Sequence, residues 1–262
     1  MNGTVWFVGA GPGDPDLITV KGRQLISQAD AILYAGSLVD AAALQYASAH
    51  CQRQDSKTMT LDQITAWLMN AARQYKTVVR LQTGDPSLYG ALIEMTRPLT
   101  AAGIHWQVVP GVTSACAAAA VAQESLTLPA VTQTVILTRI AGQTPMPTRE
   151  QLAQLAAHQT SLCIYLAATQ LDAVANALLA AGWAATAPVV VVHKATWLTQ
   201  QIVRGCIQDI AEKTRAAGIE NQAMVIASPT LGAGNWPEIT PSKLYDAEFT
   251  HQFRSSLVCG DE

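Results

Sequence analysis

The sequence predicts an α/β fold in two domains. Apolar runs of strand length recur along the chain, segments with helical spacing separate them, and glycines punctuate several of the ends. A first series of strands is expected at residues 5–8, 31–34, 77–81 and 106–109, and a second at 135–138, 162–166, 189–192 and 224–227. The runs are continuous and rich in Val and Ile rather than alternating, which suits strands covered by helices on both faces. Helical spacing is clearest over 17–29, 61–75, 88–102, 152–157, 171–181 and 207–217. Gly103, Gly182 and Gly218 each fall just past one of these segments, where a left-handed residue closes a last helical turn. Thr60 precedes the second helix and Gln63 stands three residues on, the pattern of a capping box. Strands alternating with helices make the class α/β.

The two series are separated by a helical stretch over 113–123 and the loop Glu124-Ser125-Leu126-Thr127-Leu128-Pro129. A boundary near Gln123 therefore gives domains 1–123 and 124–262, without internal repeat or low-complexity linker, and a cleft between them is the default ligand site. Half the residues are hydrophobic and 13% are charged, which excludes a disordered chain. A net charge of -3 and the lack of any basic run argue against general nucleic-acid binding, which needs clustered Lys and Arg. The first residues carry no basic stretch followed by a long apolar one, and the alanine-rich run 115–122 is too short for a membrane span. The five cysteines, Cys51, Cys116, Cys163, Cys206 and Cys259, are widely spaced and odd in number, as expected of reduced thiols in a cytoplasmic protein.

Three turns concentrate the chemistry. The first expected strand runs into Gly9-Ala10-Gly11-Pro12-Gly13-Asp14. Glycines there allow positive φ and close approach of a ligand to backbone, but Asp14 stands where a dinucleotide-binding turn needs its third glycine. No Gly-Lys-Ser/Thr follows, so the turn is not a P-loop either. The strand 77–81 runs into Thr83-Gly84-Asp85-Pro86, which puts a carboxylate at the strand's carboxyl end. Asp85 is placed either to accept from ribose hydroxyls or an amino group, or to cap the helix that follows. The third turn, Pro110-Gly111-Val112-Thr113-Ser114, offers two hydroxyls and the first amides of a helix, for a ligand or for capping. The five histidines are scattered without metal-ligand spacing, and no G-x-S-x-G elbow appears, so neither a metal centre nor a serine hydrolase is expected. Arg139, Arg149, Lys194 and Arg204 lie at or beyond strand ends of the second half, where a polycarboxylate ligand would need cations.

Taken together, these turns resemble those of the tetrapyrrole (corrin/porphyrin) methylase family. The stretch from Val8 through Asp14-Pro15-Asp16-Leu17 to Gly22 is similar to that family's first signature, and the segment from Val78 through Gly84-Asp85 and Tyr89-Gly90 to Pro110-Gly111 to its second. The segments Tyr34-Ala35-Gly36-Ser37-Leu38, Thr138-Arg139-Ile140-Ala141-Gly142, His193-Lys194-Ala195-Thr196-Trp197 and Ser242-Lys243-Leu244-Tyr245 are similar to the corrin branch of the family. The uroporphyrinogen methylases of the same family carry Asp where this chain has Ala35, and Gly-Gly-Asp where it has Thr83-Gly84-Asp85.

The likeness extends over nearly the whole chain. It implies two α/β domains with an active-site cleft between them, S-adenosylmethionine as methyl donor, a tetrapyrrole substrate with carboxylate side chains, a homodimer and no protein-bound metal. Carried over by position, the donor would contact Pro12, Thr83, Gly84, Asp85 and Leu88. Thr113, Ser114, Leu166 and Ala195 would complete its site, while Arg139 and Lys194 would hold the substrate's carboxylates. No residue is assigned as acid or base, because Ala35 leaves no matching carboxylate. Two alternatives stay open at this stage: a methylase of another ring carbon, and a non-catalytic protein that binds the donor or the macrocycle.

Overall fold

The computed structural model describes residues 2–255. They fall into two compact units, one running to Val121 and including Val192–Gln201, the other comprising Ala122–Val191 and the residues from Ile202 onward. Cys259 lies outside the described residues; Cys51, Cys116, Cys163 and Cys206 form no disulfide.

The first unit is built on a five-stranded sheet of order β3-β2-β4-β1-β5, in which β1 is Thr4–Gly9, β2 Ala31–Tyr34, β3 Gln52–Asp55, β4 Thr77–Gln82 and β5 Trp106–Val109. All four pairings are parallel. Parallel neighbours need crossovers, and helices α1 (Val20–Gln28), α2 (Leu61–Gln74) and α3 (Leu92–Ala101) supply three of them. Successive β1 residues serve opposite faces of the sheet. Val8 packs with Ile26 of α1, Ile32, Val79 and Leu81, whereas Val5 and Phe7 pack with Leu68 of α2 and Met95 and Leu99 of α3. Both faces are thus covered, which is why these strands read as unbroken apolar runs.

The second unit contributes a mixed sheet of order β6-β7-β10-β8-β9. Its strands are β6 Val135–Arg139, β7 Ser161–Tyr165, β8 Pro188–His193, β9 Gln201–Cys206 and β10 Ala223–Ala227. Strands β6 and β7 are parallel and β10 runs antiparallel to β7. Helix α4 (Ser114–Val121) ends the first long segment, and α5 (Leu152–Ala156), α6 (Leu171–Ala180) and α7 (Ile210–Ala216) follow. Their apolar stripes, Leu152 with Ala156, Leu171 with Leu178, and Ile210 with Ala211, share one core with Leu162, Ile164 and Val225.

The predicted strands are all present, and two more appear. Strands β3 and β9 sit at sheet edges; β3 is polar throughout, Gln-Arg-Gln-Asp, and β9, Gln-Ile-Val-Arg-Gly-Cys, has no fully buried residue. Gly103, Gly182 and Gly218 have φ of 66°, 86° and 69°, the left-handed closure expected of them. The capping box is realised: Gln63 N donates to Thr60 Oγ1 and Thr60 N to Gln63 Oε1, at 3.3 and 2.8 Å. Three helix starts move, that of α7 from Ile207 to Ile210 because residues 207–209 form a turn. Helix α1 begins at Val20, capped by Thr19, because Pro15–Leu17 form a separate 3-10 turn. Helix α3 begins at Leu92 rather than near Leu88, because Tyr89 and Ala91 take positive φ of 55° and 49°. Among the described residues no helix is long and apolar enough to cross a membrane.

Candidate active site

Strands β4, β1 and β5 are neighbours, so the three turns that leave their carboxyl ends stand side by side. Helix α1 carries the chain from β1 to β2 on one face, whereas α3 carries it from β4 to β5 on the other. The connections therefore diverge between β1 and β4. In open α/β sheets such a divergence opens the crevice in which ligands bind.

The turns touch through backbone. Ala10 N donates to Gln82 O at 2.7 Å, Gly84 N to Gly11 O at 2.7 Å and Gly11 N to Gly84 O at 3.3 Å. A methyl group on Gly9 would lie 2.5 Å from Gly84 O and 2.7 Å from Gly111 Cα, and one on Gly111 would lie 2.1 Å from Gly84 O. Gly11 and Gly84 take φ of 74° and 58°, conformations that favour glycine. Gly9 and Gly111 are thus glycines because main chains converge where side chains have no room, whereas Gly84 has space for a methyl group and is held to glycine by its positive φ.

Asp85 ties the second turn to the third. Its Oδ1 accepts from Ser87 N at 2.8 Å and its Oδ2 from Gly111 N at 3.0 Å. Helix α3 starts beyond it, so Asp85 is an organiser of turns rather than that helix's cap. A carboxylate has about four acceptor positions, so the half-buried Asp85 keeps capacity for a ligand after these two bonds. Thr83 and Leu88, on either side of it, are half-buried; Pro12 is buried under the first turn. Thr113 and Ser114, also half-buried, open α4 and bring its first amides to the same edge.

A segment distant in sequence closes on the first turn. Asp14 N donates to Thr196 Oγ1 at 2.9 Å, and the indole Nε1 of Trp197 donates to Pro12 O at 2.8 Å. Ala195 is buried between Lys194 and Thr196, which take φ of 46° and 70°. The Lys194 ammonium lies 5.5 Å from the centre of the Trp197 ring. Gln200 Oε1 accepts from Thr196 N at 2.7 Å and braces the segment.

The remaining expected residues belong to the second unit. Leu166 follows β7 at φ 56° with 66% of its surface exposed. The Arg139 guanidinium folds back on its own loop, donating from Nη1 to Ile140 O and Thr144 O and from Nη2 to Pro145 O at 2.7 Å. Three of its five N–H groups are committed, and two remain for a ligand. Arg204 is taken up by Glu124 and the Ala122 carbonyl.

At the carboxyl ends of β2 and β3 a polar cluster shapes the Ala35-Gly36 turn. Asp55 Oδ1 accepts from Gly36 N at 3.0 Å and Lys57 N at 2.9 Å, and its carboxylate occupies the space a Gly36 side chain would need. Burial raises the Asp55 pKa, but these two amides and the Lys57 ammonium outweigh it and hold the carboxyl below its usual value. The stability this supplies is present above about pH 4, the unfolded value, and is lost as pH falls through the lower folded value. Asp55→Asn is therefore expected to flatten the loss of thermal stability on acidification below about pH 4; a melting series showing the native acid slope in that variant would count against this assignment.

Arg80, on β4, is 5% exposed and donates to Ser56 Oγ at 2.8 Å. Burial brings its guanidinium down to about 10, with Asp55 opposing the shift. Its Nε, like Gln82 Oε1, has no partner. The sequence did not single out Thr196 and Trp197, which hold the first turn, or Asp55 and Arg80, which lie in the polar cluster beside the Ala35-Gly36 turn. The signal available was Arg80 itself, a charged residue within the apolar run Val78-Val79-Arg80-Leu81. Among the described residues no group of three or more His, Cys, Asp or Glu converges as a metal site.

Glycine-rich turns side by side at a switch point make this edge the candidate ligand site of an α/β enzyme fold. The chain belongs to the family described as Tetrapyrrole (Corrin/Porphyrin) Methylases, which it matches over residues 4–211. It is 45% identical over 255 residues to the cobalt-precorrin-4 C(11)-methyltransferase of Methanocaldococcus jannaschii, covering 97% of each chain. Among solved structures it resembles a cobalamin biosynthetic enzyme, cobalt precorrin-4 methyltransferase, with a TM-score of 0.84 and 44% identity over 86% of this chain and 94% of that one. It also resembles the uroporphyrin-III C-methyltransferase of Thermus thermophilus in complex with S-adenosylhomocysteine, with a TM-score of 0.75 and 26% identity over 88% of this chain and 100% of that one.

Proposed function

We infer that this chain is an S-adenosylmethionine-dependent C-methyltransferase that methylates C11 of precorrin-4 or cobalt-precorrin-4 in cobalamin biosynthesis. The observation that carries this reading is the convergence of the Gly11, Gly84 and Gly111 main chains at one sheet edge, in a chain nearly half identical to a C11-methyltransferase along its length. In this reading the turns hold the donor: Pro12, Thr83, Gly84, Asp85 and Leu88 on one side, Thr113 and Ser114 on another, with Leu166 and Ala195 completing the site. Domain 1–123 supplies the glycine-rich and Gly-Asp-Pro turns, and domain 124–262 most of the remainder. The protein works in the cytoplasm as a homodimer and binds no metal of its own.

The bound donor supplies a methyl group already activated by its sulfonium. What the protein must add is alignment of that methyl with the acceptor carbon, and holding reactants at attack distance contributes on the order of 7–11 kcal/mol. The backbone-on-backbone packing of the turns is suited to this, because it leaves little slack. Ala35 presents no carboxylate, and an electron-rich ring carbon can attack a sulfonium methyl group without one. Arg139, through its two remaining N–H groups, and Lys194 hold the macrocycle's carboxylates. Lys194→Gln is therefore expected to raise the KM for the tetrapyrrole about 10-fold with the donor KM unchanged; an unchanged tetrapyrrole KM would remove Lys194 from this role.

The decisive test is anaerobic incubation with precorrin-4, metal-free and cobalt-loaded, using methyl-labelled donor and locating the label by NMR. Label at C11 is the expected result. Label at another carbon would make the chain a methylase of different regiochemistry, and donor binding without transfer to either substrate would make it a binding protein.

A further inference from the structure

We propose that Trp197 is a positioning residue for the donor: its indole clamps the Gly11-Pro12-Gly13 turn in the shape that receives S-adenosylmethionine. The inference rests on the donor-site reading above and assigns a role to a residue that does not itself enter that reading.

Three contacts converge. The Trp197 Nε1–H donates to Pro12 O at 2.8 Å, which fixes the orientation of that peptide. Two residues on, Asp14 N donates to Thr196 Oγ1 at 2.9 Å, so the same short segment holds the turn on both sides of Gly13. Between these bonds the edge of the indole lies close against the turn: a methyl group on Gly13 would stand 2.1 Å from Trp197 Cδ1 and 2.4 Å from its Nε1. Gly13 is therefore a glycine for a different reason from Gly11. Gly11 needs its positive φ, whereas Gly13 leaves room for a ring contributed from more than 180 residues away.

The clamp also has a brace. Gln200 Oε1 accepts from Thr196 N at 2.7 Å and holds the segment in place. The strained backbone at Lys194 and Thr196, with φ of 46° and 70°, is what turns Thr196 and Trp197 together onto the first turn. On its other side the first turn is pinned to Gly84 by paired backbone bonds. Held from both sides, the turn has its donor-binding shape before the donor arrives, which spares the cost of ordering it on binding.

The test measures binding of S-adenosylhomocysteine by calorimetry, steady-state kinetics for both substrates, and melting temperature, in wild type, Trp197→Phe, Gly13→Ala and the double variant Gly13→Ala/Trp197→Ala. Trp197→Phe keeps a ring but loses the donated hydrogen bond. It is expected to weaken S-adenosylhomocysteine binding about 3- to 10-fold and to raise the donor KM in step, with kcat and the tetrapyrrole KM within about 2-fold of wild type. Gly13→Ala is expected to lose about 10-fold or more through the clash, and the double variant to bind more tightly than Gly13→Ala alone, because the second change removes the atoms that clash.

A role confined to stability would lower the melting temperature and leave donor affinity at its native value. Native affinity in folded Trp197→Phe, or a double variant that binds no better than a folded Gly13→Ala, overturns the clamp. Should Gly13→Ala fail to fold, Trp197→Phe decides alone. A folded wild-type protein that does not bind S-adenosylhomocysteine overturns the donor-site reading and the clamp with it, whereas wild-type binding with unchanged Trp197→Phe overturns the clamp only.

Discussion

Gly111→Ala is expected to abolish donor binding and to destabilise the fold by about 3 kcal/mol, the upper end of what overpacking a closed site costs. The added methyl would meet Gly84 O at 2.1 Å and the Gly9 main chain at 2.9 Å. Both obstacles are backbone of buried parallel strands or their turns, so no side chain can swing away. Relief requires β5 and its turn to move away from β1, which would break the alignment of all three turns at once. For a chain of this size the melting temperature should fall by roughly 6–12 °C. Gly234→Ala is the matched control, because a methyl group there meets nothing within 4 Å. If Gly111→Ala melted like Gly234→Ala and retained donor affinity, the close-packed edge would not be what shapes the site.

Asp85→Ala is expected to reduce donor affinity by about 100-fold while costing less stability than Gly111→Ala. Two backbone amides, those of Ser87 and Gly111, donate to its carboxylate. Bonds to a charged group are worth about 1.5–3 kcal/mol each when shielded, and partial exposure reduces that here. What is lost beyond stability is the link between the second and third turns, and with it the remaining acceptor positions offered to the ligand. Asn at position 85 keeps one carbonyl acceptor but turns an amide toward the other donor, so Asp85→Asn should fall between wild type and Asp85→Ala. Calorimetric titration with S-adenosylhomocysteine gives the order directly. Equal affinity in all three proteins would make Asp85 a turn residue and nothing more.

That residues 9–14, 83–86 and 110–114 form turns at strand ends follows from the apolar runs before them and the Gly, Pro and Asp content within them. What Asp85 does was open between ligand contact and helix cap, since both need a carboxylate in the same place. The bond to Gly111, 26 residues away, resolves its structural part, and only strand order brings those two residues together. Helix α3 starts late for a similarly local reason: positive φ at Tyr89 and Ala91 interrupts a pattern whose hydrophobic spacing alone reads as helix from Leu88.

The sequence by itself determined the α/β class, every strand with an apolar core-facing run, the glycine closures of three helices, the capping box and the turns in which the candidate site lies. These are local or periodic properties, and each is encoded within a few residues of where it acts. Tertiary structure decided the rest. Strand β3 is polar and gains its conformation from the neighbour it pairs with, not from burial of its own side chains. The order β4-β1-β5 is set by crossover topology, and it alone makes Gly9, Gly84 and Gly111 one site. Trp197 reaches Pro12 across more than 180 residues. No periodicity records such contacts, because they depend on which surfaces meet after the elements have formed.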